Sequence, residues 1–447
     1  MKKRRRKNPF IPEEYNIKYI FSWQSRKSPV FNESRARGKE FILKKHYFSA
    51  YAGLPREVYF LFAARLVNSM GSFVMPLLTL ILTQKLGMSK SLSGSFISLL
   101  VLTQAPCLIL GGKLADSVGR KKVIVGCGLA GAFLYILCGL LPQSHWMVAY
   151  IVLASDFYTM AFPAFNATLA DLTEPKDRKS AFSLLYFGAN IGMAISPILG
   201  GLLFRNHLPL LFLLDAATTV AYTVVIGVNV RETFQRTGEK AGTPGTAAKK
   251  QSVFRVLKAV PILAAFAFLL FPYDFCYSQW NFMLPAQFGD LFGGDGARMF
   301  SLLASANAFT VILLTPIITS LTRRLRPLIA ISAGCFLFFI AYLGFGFGSG
   351  LPLFFLFTEL FTFGEIMVTI QIDAFIANHT PPDCRGRVTA FSTFIRGSAN
   401  SLGPLIMGHV LAVWDYRVSW LLIAFIVLAG GVGMFALNKK DRQQEPA

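Results

Sequence analysis

Residues 91–141 read SLSGSFISLLVLTQAPCLILGGKLADSVGRKKVIVGCGLAGAFLYILCGLL. Two apolar runs, 91–115 and 123–141, flank a turn that closes on Gly119, Arg120, Lys121 and Lys122. A helix rises 1.5 Å per residue, so about twenty apolar residues cross the roughly 30 Å hydrocarbon core of a bilayer. The stretch therefore predicts two membrane-spanning helices joined by a short basic loop.

The same pattern continues in both directions. Apolar runs at 57–84, 147–170, 181–204 and 208–230 surround the quoted pair. Six more follow a polar segment, at 256–285, 297–321, 327–347, 351–377, 388–412 and 417–437. The 447 residues are 54% hydrophobic and 15% charged, with a mean hydropathy of +0.51. A soluble chain carries about 25% charge, so a water-facing exterior is excluded.

Charge sets the orientation. The net charge is +21. Its basic residues fall in the N-terminal segment and in alternate loops: Arg120 to Lys122, Lys176 to Lys179, Arg231 to Arg255, Arg323 to Arg326, Arg385 and Arg387, then Lys439 and Lys440. The intervening loops are nearly bare: LPQSHW and GFGFGSGLP carry no Lys or Arg. That alternation is the positive-inside pattern and puts both termini in the cytoplasm. No helix-turn-helix, zinc or RNP pattern supports a nucleic-acid partner. The basic, aromatic-punctuated segment before the first span has two readings. It is a surface for anionic headgroups or a tail that only fixes topology.

The expected organisation is a basic cytoplasmic N-terminal tail (1–55), an N-terminal six-helix bundle (56–230), a cytoplasmic linker (231–255), a C-terminal six-helix bundle (256–438) and a cytoplasmic C-terminal tail (439–447). The bundles repeat each other. Ala170, Thr173, Pro175 and Arg178 recur as Ala377, Thr380, Pro382 and Arg385, and Pro197 and Gly201 recur as Pro404 and Gly408, all offset by 207 positions. The expected fold is an all-α membrane protein of twelve transmembrane helices in two six-helix bundles with pseudo-two-fold symmetry. Parallel repeats of this kind hold a solute near the bilayer midplane between the halves.

The loop at Gly112, Leu114, Ala115, Asp116, Gly119 and Arg120 resembles the G-x-L-a-D-r-x-G-r-k signature of the major facilitator superfamily, with Ser117 at a position where a basic residue is common. The resemblance covers about residues 56–438. It implies that this loop latches the two halves in an outward-facing state, with Asp171 and Arg178 as partners. The second-half segment SLTRRLRP has lost the pattern. On the fifth span, Gly188, Gly192, Pro197, Gly200 and Gly201 resemble the G-x-x-x-G-P-x-x-G-G signature of drug:proton antiporters, with Ser196 replacing a glycine. Ordinary small-residue packing is the other reading of that helix.

Ionisable groups at membrane depth are costly and mark function by default. Asp156 lies about 22 Å from Asp171 along its helix, Glu365 about 20 Å from Asn378, and Asp274 at similar depth. Asp215 and Glu359 lie nearer the outside, and Asp373 nearer the cytoplasm. Phe363-Gly364-Glu365-Ile366 resembles the F-G-E-I segment of multidrug antiporters, where the Glu handles protons and cations. The proton-coupling candidates are Glu365, Asp156 and Asp274. Low-dielectric burial favours the neutral carboxyl, as a proton carrier requires. The alternative is a static ion pair, Glu365 with Arg396 or Asp156 with Arg65. The substrate cavity is expected to draw on Arg65, Asn68, Gln104, Gln279, Asn281, Asn307, Gln371 and Arg396, with Asn190, Tyr273 and Trp280 nearby.

Three function classes remain at this level. The first is export of small lipophilic or amphipathic compounds in exchange for protons, from the plasma membrane and as a monomer. The second is nutrient uptake by symport or uniport; no E-x-x-E-R segment or sugar-porter P-E-S-P-R is present. The third is a non-transporting receptor or scaffold on a transporter fold. No Walker A motif, H-E-x-x-H or G-x-S-x-G occurs, so neither direct ATP coupling nor an enzyme is expected. No cofactor is expected. The six cysteines form no C-x-x-C and pair with no histidine at ligand spacing, so no metal is expected either.

Overall fold

Proline and glycine decide where the rods of this fold break. The computed structural model describes residues 51–144, 146–234, 261–322, 324–380 and 385–444. Tail 1–55 lies almost wholly outside the described residues, as do most of linker 231–255 and the end of the C-terminal tail. Met1–Ala52 is one unit and Gly53–Ala447 another.

Within the second unit the described elements are helical and run in chain order as α1 (Arg56–Lys85), α2 (Lys90–Ser117), α3 (Arg120–Leu140), α4 (Trp146–Leu172), α5 (Arg178–Phe204) and α6 (Leu208–Asn229). Then follow α7 (261–292), α8 (Gly296–Thr322), α9 (Pro327–Phe347), α10 (Leu351–His379), α11 (Arg385–Val413) and α12 (Tyr416–Gln444). Ten stretches among the described residues are long and apolar enough to cross a membrane, and one of them, Pro261–Thr322, holds both α7 and α8. The α11 rod is not among the ten; it carries Arg396, Ser398, Asn400 and Ser401. Large apolar side chains such as Ile109, Phe133, Val228 and Phe425 stand exposed on the rods, as a lipid-facing exterior requires.

Two rods are broken, and each break is repaired from another rod. α1 stops its first helix at Met70 and resumes at Val74. The freed N–H groups of Phe73 and Val74 donate to Asp215 Oδ2 on α6 at 3.0 and 3.2 Å. α7 passes through a tight turn at Ser278–Trp280 before its second helix, Met283–Phe292. There Pro285 has no N–H to give the Asn281 carbonyl four residues back. Thr79 Oγ1 of α1 donates to that carbonyl instead, at 2.8 Å.

α1–α6 pack on one another, α7–α12 do the same, and the groups meet along α2 with α11 and α5 with α8. The seams are repeats of each other. A Cβ on Gly201 would lie 3.1 Å from the Ala297 carbonyl, and one on Gly408 2.7 Å from the Lys90 carbonyl. Gly201 with Gly408, and Lys90 with Ala297, are each 207 positions apart. The offset read from sequence thus reappears as a pseudo-two-fold relation in space.

The second bundle is cored by aromatic rings. Trp280 stacks on Phe361 at 4.6 Å, Tyr342 on Trp420 at 5.5 Å and Tyr277 on Phe361 at 5.8 Å.

Candidate functional site

The α2–α3 turn forms because Gly119 adopts φ +116°, a conformation that L side chains rarely enter. The next residue starts α3, whose first N–H groups have no partner within the helix. Glu232, just beyond α6, supplies one: its carboxylate accepts from the Arg120 and Lys121 amides at 3.0 and 3.1 Å. What burial Glu232 has pushes its carboxyl up. The amides of Phe234, Lys121, Arg120 and Lys122 outweigh that and hold it below the ordinary glutamate range. The Arg120 guanidinium pairs with Asp171 at the end of α4 and also donates to the Ala167 carbonyl at 3.2 Å. Arg178 Nε donates to the Ala170 carbonyl at 3.2 Å. Asp116 is exposed. The closest helix approach falls on Gly111, where a Cβ would meet the Met160 backbone; at Gly112 the nearest atom, Pro163 Cβ, is 4.0 Å away. These contacts join elements of the first bundle to one another.

The halves are fastened at the opposite ends of the rods. Lys90 Nζ meets Asp290 Oδ2 at 2.6 Å, and Tyr416 donates to the same oxygen at 2.9 Å. Arg205 meets Asp295 at 3.1 Å. Ser98 and Ser401 exchange hydroxyl-to-carbonyl hydrogen bonds across α2 and α11. Gln84 donates to the carbonyls of Gly289 and Gly293 at 3.0 and 3.1 Å.

The small residues of α5 divide between two neighbours. Cβ atoms on Gly188, Gly192 and Gly200 would run into α1, at Phe62, Met70 and Leu77, whereas Gly201 faces α8 of the other half. Pro197 lies inside the helix. Ser196, where the antiporter signature has glycine, donates at 2.6 Å to the Ser72 carbonyl in the break of α1. Its hydroxyl thus closes a hydrogen bond that a glycine would leave open.

The three proton-coupling candidates have different surroundings. Glu365 is half-buried. It accepts from Tyr277 OH at 2.7 Å and from Asn307 Nδ2 at 2.9 Å, and Asn307 also donates to Thr362 at 2.8 Å. Asp156 accepts from Thr103 Oγ1 at 2.9 Å. Asp274, its side chain 2% exposed, is held in a two-point pair by Arg396, at 2.8 and 3.1 Å. Arg396 thus takes Asp274 as its partner, and Arg65 stands in a separate cavity in the first bundle. Asp215 is the cap described above. The side chain of Asp373 lies outside the described residues.

The cavity candidates scatter. Asn307 reaches Glu365 directly. Gln104 donates to Ser155, next to Asp156, at 2.8 Å. Gln279 is fully buried in the break of α7, donating to the Phe275 carbonyl at 3.0 Å. Asn281 is exposed, and Gln371 is half-buried. Asn190 donates to the Tyr186 carbonyl of its own helix at 2.8 Å. Tyr273 and Trp280 are buried in the aromatic core. Sequence reasoning missed Tyr277, Thr103 and Glu232. A tyrosine in an aromatic-rich span, a threonine in a span and an acid after one carry no pattern that sets them apart.

Comparison with known proteins gives three kinds of match. The model of the Major Facilitator Superfamily matches residues 61–404. The chain is 24% identical to a Na(+), Li(+), K(+)/H(+) antiporter of Planococcus maritimus, covering 84% of this chain and 94% of that protein. It is 25% identical to the multidrug resistance protein MdtH of Klebsiella pneumoniae (strain 342), covering 82% and 90%. Among solved structures, it resembles a bacterial homolog of the human lysosomal transporter Spinster in an inward-facing, unoccupied conformation, with TM-score 0.70, 16% identity, and 88% and 98% of the two chains covered. It also resembles the nucleoside transporter NupG, with TM-score 0.71, 16% identity, and 84% and 99% covered. At these identities the structural likeness shows the fold.

Proposed function

Since the chain belongs to the major facilitator superfamily and is a multi-pass membrane transporter rather than an enzyme, we propose that it exports small lipophilic or amphipathic compounds in exchange for protons. It works by alternating access, in the plasma membrane, with both termini in the cytoplasm. With that orientation the fastened ends of the rods face outside, and the state described is inward-facing. The Gly112–Lys122 turn then stands disengaged from the other half, and its latching role belongs to the outward-facing state.

The observation that carries this reading is Glu365. It is an acid at membrane depth whose partners are a phenol and an amide, Tyr277 and Asn307, neither of them a cation. Such a group takes up and releases a proton without breaking an ion pair. Asp156, which accepts from Thr103 and from the Cys107 thiol of the same helix and meets no cation in these bonds, is the second carrier. Asp274 stays paired with Arg396 and holds α7 to α11. Support for the exchange also comes from the antiporter and multidrug resistance protein among the relatives.

The test uses proteoliposomes with a pH-sensitive dye inside. Lipophilic cations and, because of the antiporter relative, sodium and potassium salts are added in turn. The wild-type chain is expected to move protons against at least one probe. Glu365→Gln abolishes that movement and leaves folded protein in the membrane. Unchanged proton movement in Glu365→Gln would remove the assignment.

A further inference from the structure

A cavity of about 80 Å³ lies inside the first bundle, lined by residues that include Arg65 and Asn68 of α1, Gly128 of α3, Tyr158 of α4, and Thr219 and Tyr222 of α6. Arg65 sits about 14 Å along α1 from Arg56, well within the rod. A guanidinium stays charged at any physiological pH. Arg65 makes no ion pair or hydrogen bond among the described residues, and an uncompensated charge at this depth is costly.

The rest of the lining sets a few donors among apolar walls that include Ala161, Phe162 and Phe165. Thr219 Oγ1 donates to Asn68 Oδ1 at 3.1 Å, which leaves the Asn68 amide hydrogens unused. Tyr222 is 8% exposed, and its hydroxyl has no hydrogen-bond partner among the described residues. Among the described residues no carboxylate lines the cavity. Asp215, one turn before Thr219, is committed to the Phe73 and Val74 amides. Asp156, two residues before Tyr158, is committed to Thr103 of α2.

The geometry points to an anion site: Arg65, Asn68 and Tyr222 bind a small monovalent anion, a halide or a carboxylate. A water molecule needs about 10–15 Å³ of such space, so the cavity has room for a chloride or a carboxylate head. The ion is either free in solution or the carboxylate of an organic solute. Binding here uses no proton carrier, so the site stands apart from the exchange proposed above.

The experiment follows the thermal unfolding midpoint of the purified full chain in detergent. Chloride, formate and acetate are titrated separately, with a bulky sulfonate buffer salt, neither halide nor carboxylate, holding ionic strength constant. A saturable rise is expected with at least one of them. Arg65→Gln raises its half-saturation concentration about tenfold or more, and Tyr222→Phe raises it several-fold. Saturation by chloride alone identifies a free halide. Tighter saturation by formate or acetate identifies a solute carboxylate. Glu365→Gln keeps the response, so loss of proton exchange and loss of this site are read separately. A midpoint indifferent to all three anions, or a response unchanged in Arg65→Gln, overturns the site. If Arg65→Gln does not fold, Tyr222→Phe decides alone, and an unchanged half-saturation there overturns it.

Discussion

Arg65 and Arg396 are intramembrane cations of the two bundles, and the bundles treat them differently. Arg396 is clamped on a buried carboxylate, Asp274. Arg65 faces a cavity without one. The same divergence appears on the duplicated helices α4 and α10. The position 207 before Glu365 is Tyr158, and the position 207 after Asp156 is Phe363. Where the halves meet, by contrast, the copies agree in glycine and in position, Gly201 on the carbonyl of Ala297 and Gly408 on that of Lys90. In the alternating-access cycle proposed above, both seams close by the same motion, whereas the intramembrane charges differ between the bundles.

The arginine contrast yields the largest expected effect on stability. Asp274→Asn removes the buried carboxylate that Arg396 clamps and is expected to cost about 3 kcal/mol. The thermal midpoint in detergent measures it. Arg65→Gln removes an unpaired charge and is expected to leave that midpoint unchanged or raised when no small anion is present. Equal losses in both variants would break the comparison.

The seam equivalence is tested by symmetric variants. Gly201→Leu and Gly408→Leu each push a side chain into backbone at the closed end, at an expected cost of about 1–3 kcal/mol to the closed arrangement. Both should raise labelling of a cysteine placed at Ser301 or Ser91, by similar factors. A rise in one variant alone would show that the seams do not move together.

The smallest effect concerns the turn that only the first bundle keeps. Glu232→Gln is expected to lower stability at pH 7 by a few tenths of a kcal/mol, as for an exposed helix-end acid. Its carboxyl titrates below the ordinary glutamate value when folded. The contribution is therefore present above that ordinary value and fades as pH falls through the lower, folded one. Wild type and Glu232→Gln should converge in midpoint once the pH lies below that folded value. A gap that persisted there would assign the effect to packing.

The spans, the duplication and the Gly112–Lys122 turn were legible because each is a local pattern: a run length, an offset, a spacing. The site was legible only in part. Glu365 stands out as an acid in an apolar run, yet so do Asp215 and Asp274, and sequence does not separate a proton carrier from a cap or a clamp. That depends on what lies across the bundle: the amides released by the break of α1 for Asp215, and α11 for Asp274. The break in α1 itself follows Gly71, one glycine among 37 in the chain. Ser196 reads as a departure from an antiporter signature until the Ser72 carbonyl beside it is known.

The seam between α2 and α11 closes on serine hydroxyls and bare backbone rather than on interlocked leucines. A serine that lets go of the opposite chain is not stranded. Its own helix offers a carbonyl four residues back, within reach of a simple rotamer turn. Ser98 and Ser401 can thus trade a bond between bundles for one within a rod, and parting the bundles leaves no donor orphaned in oil.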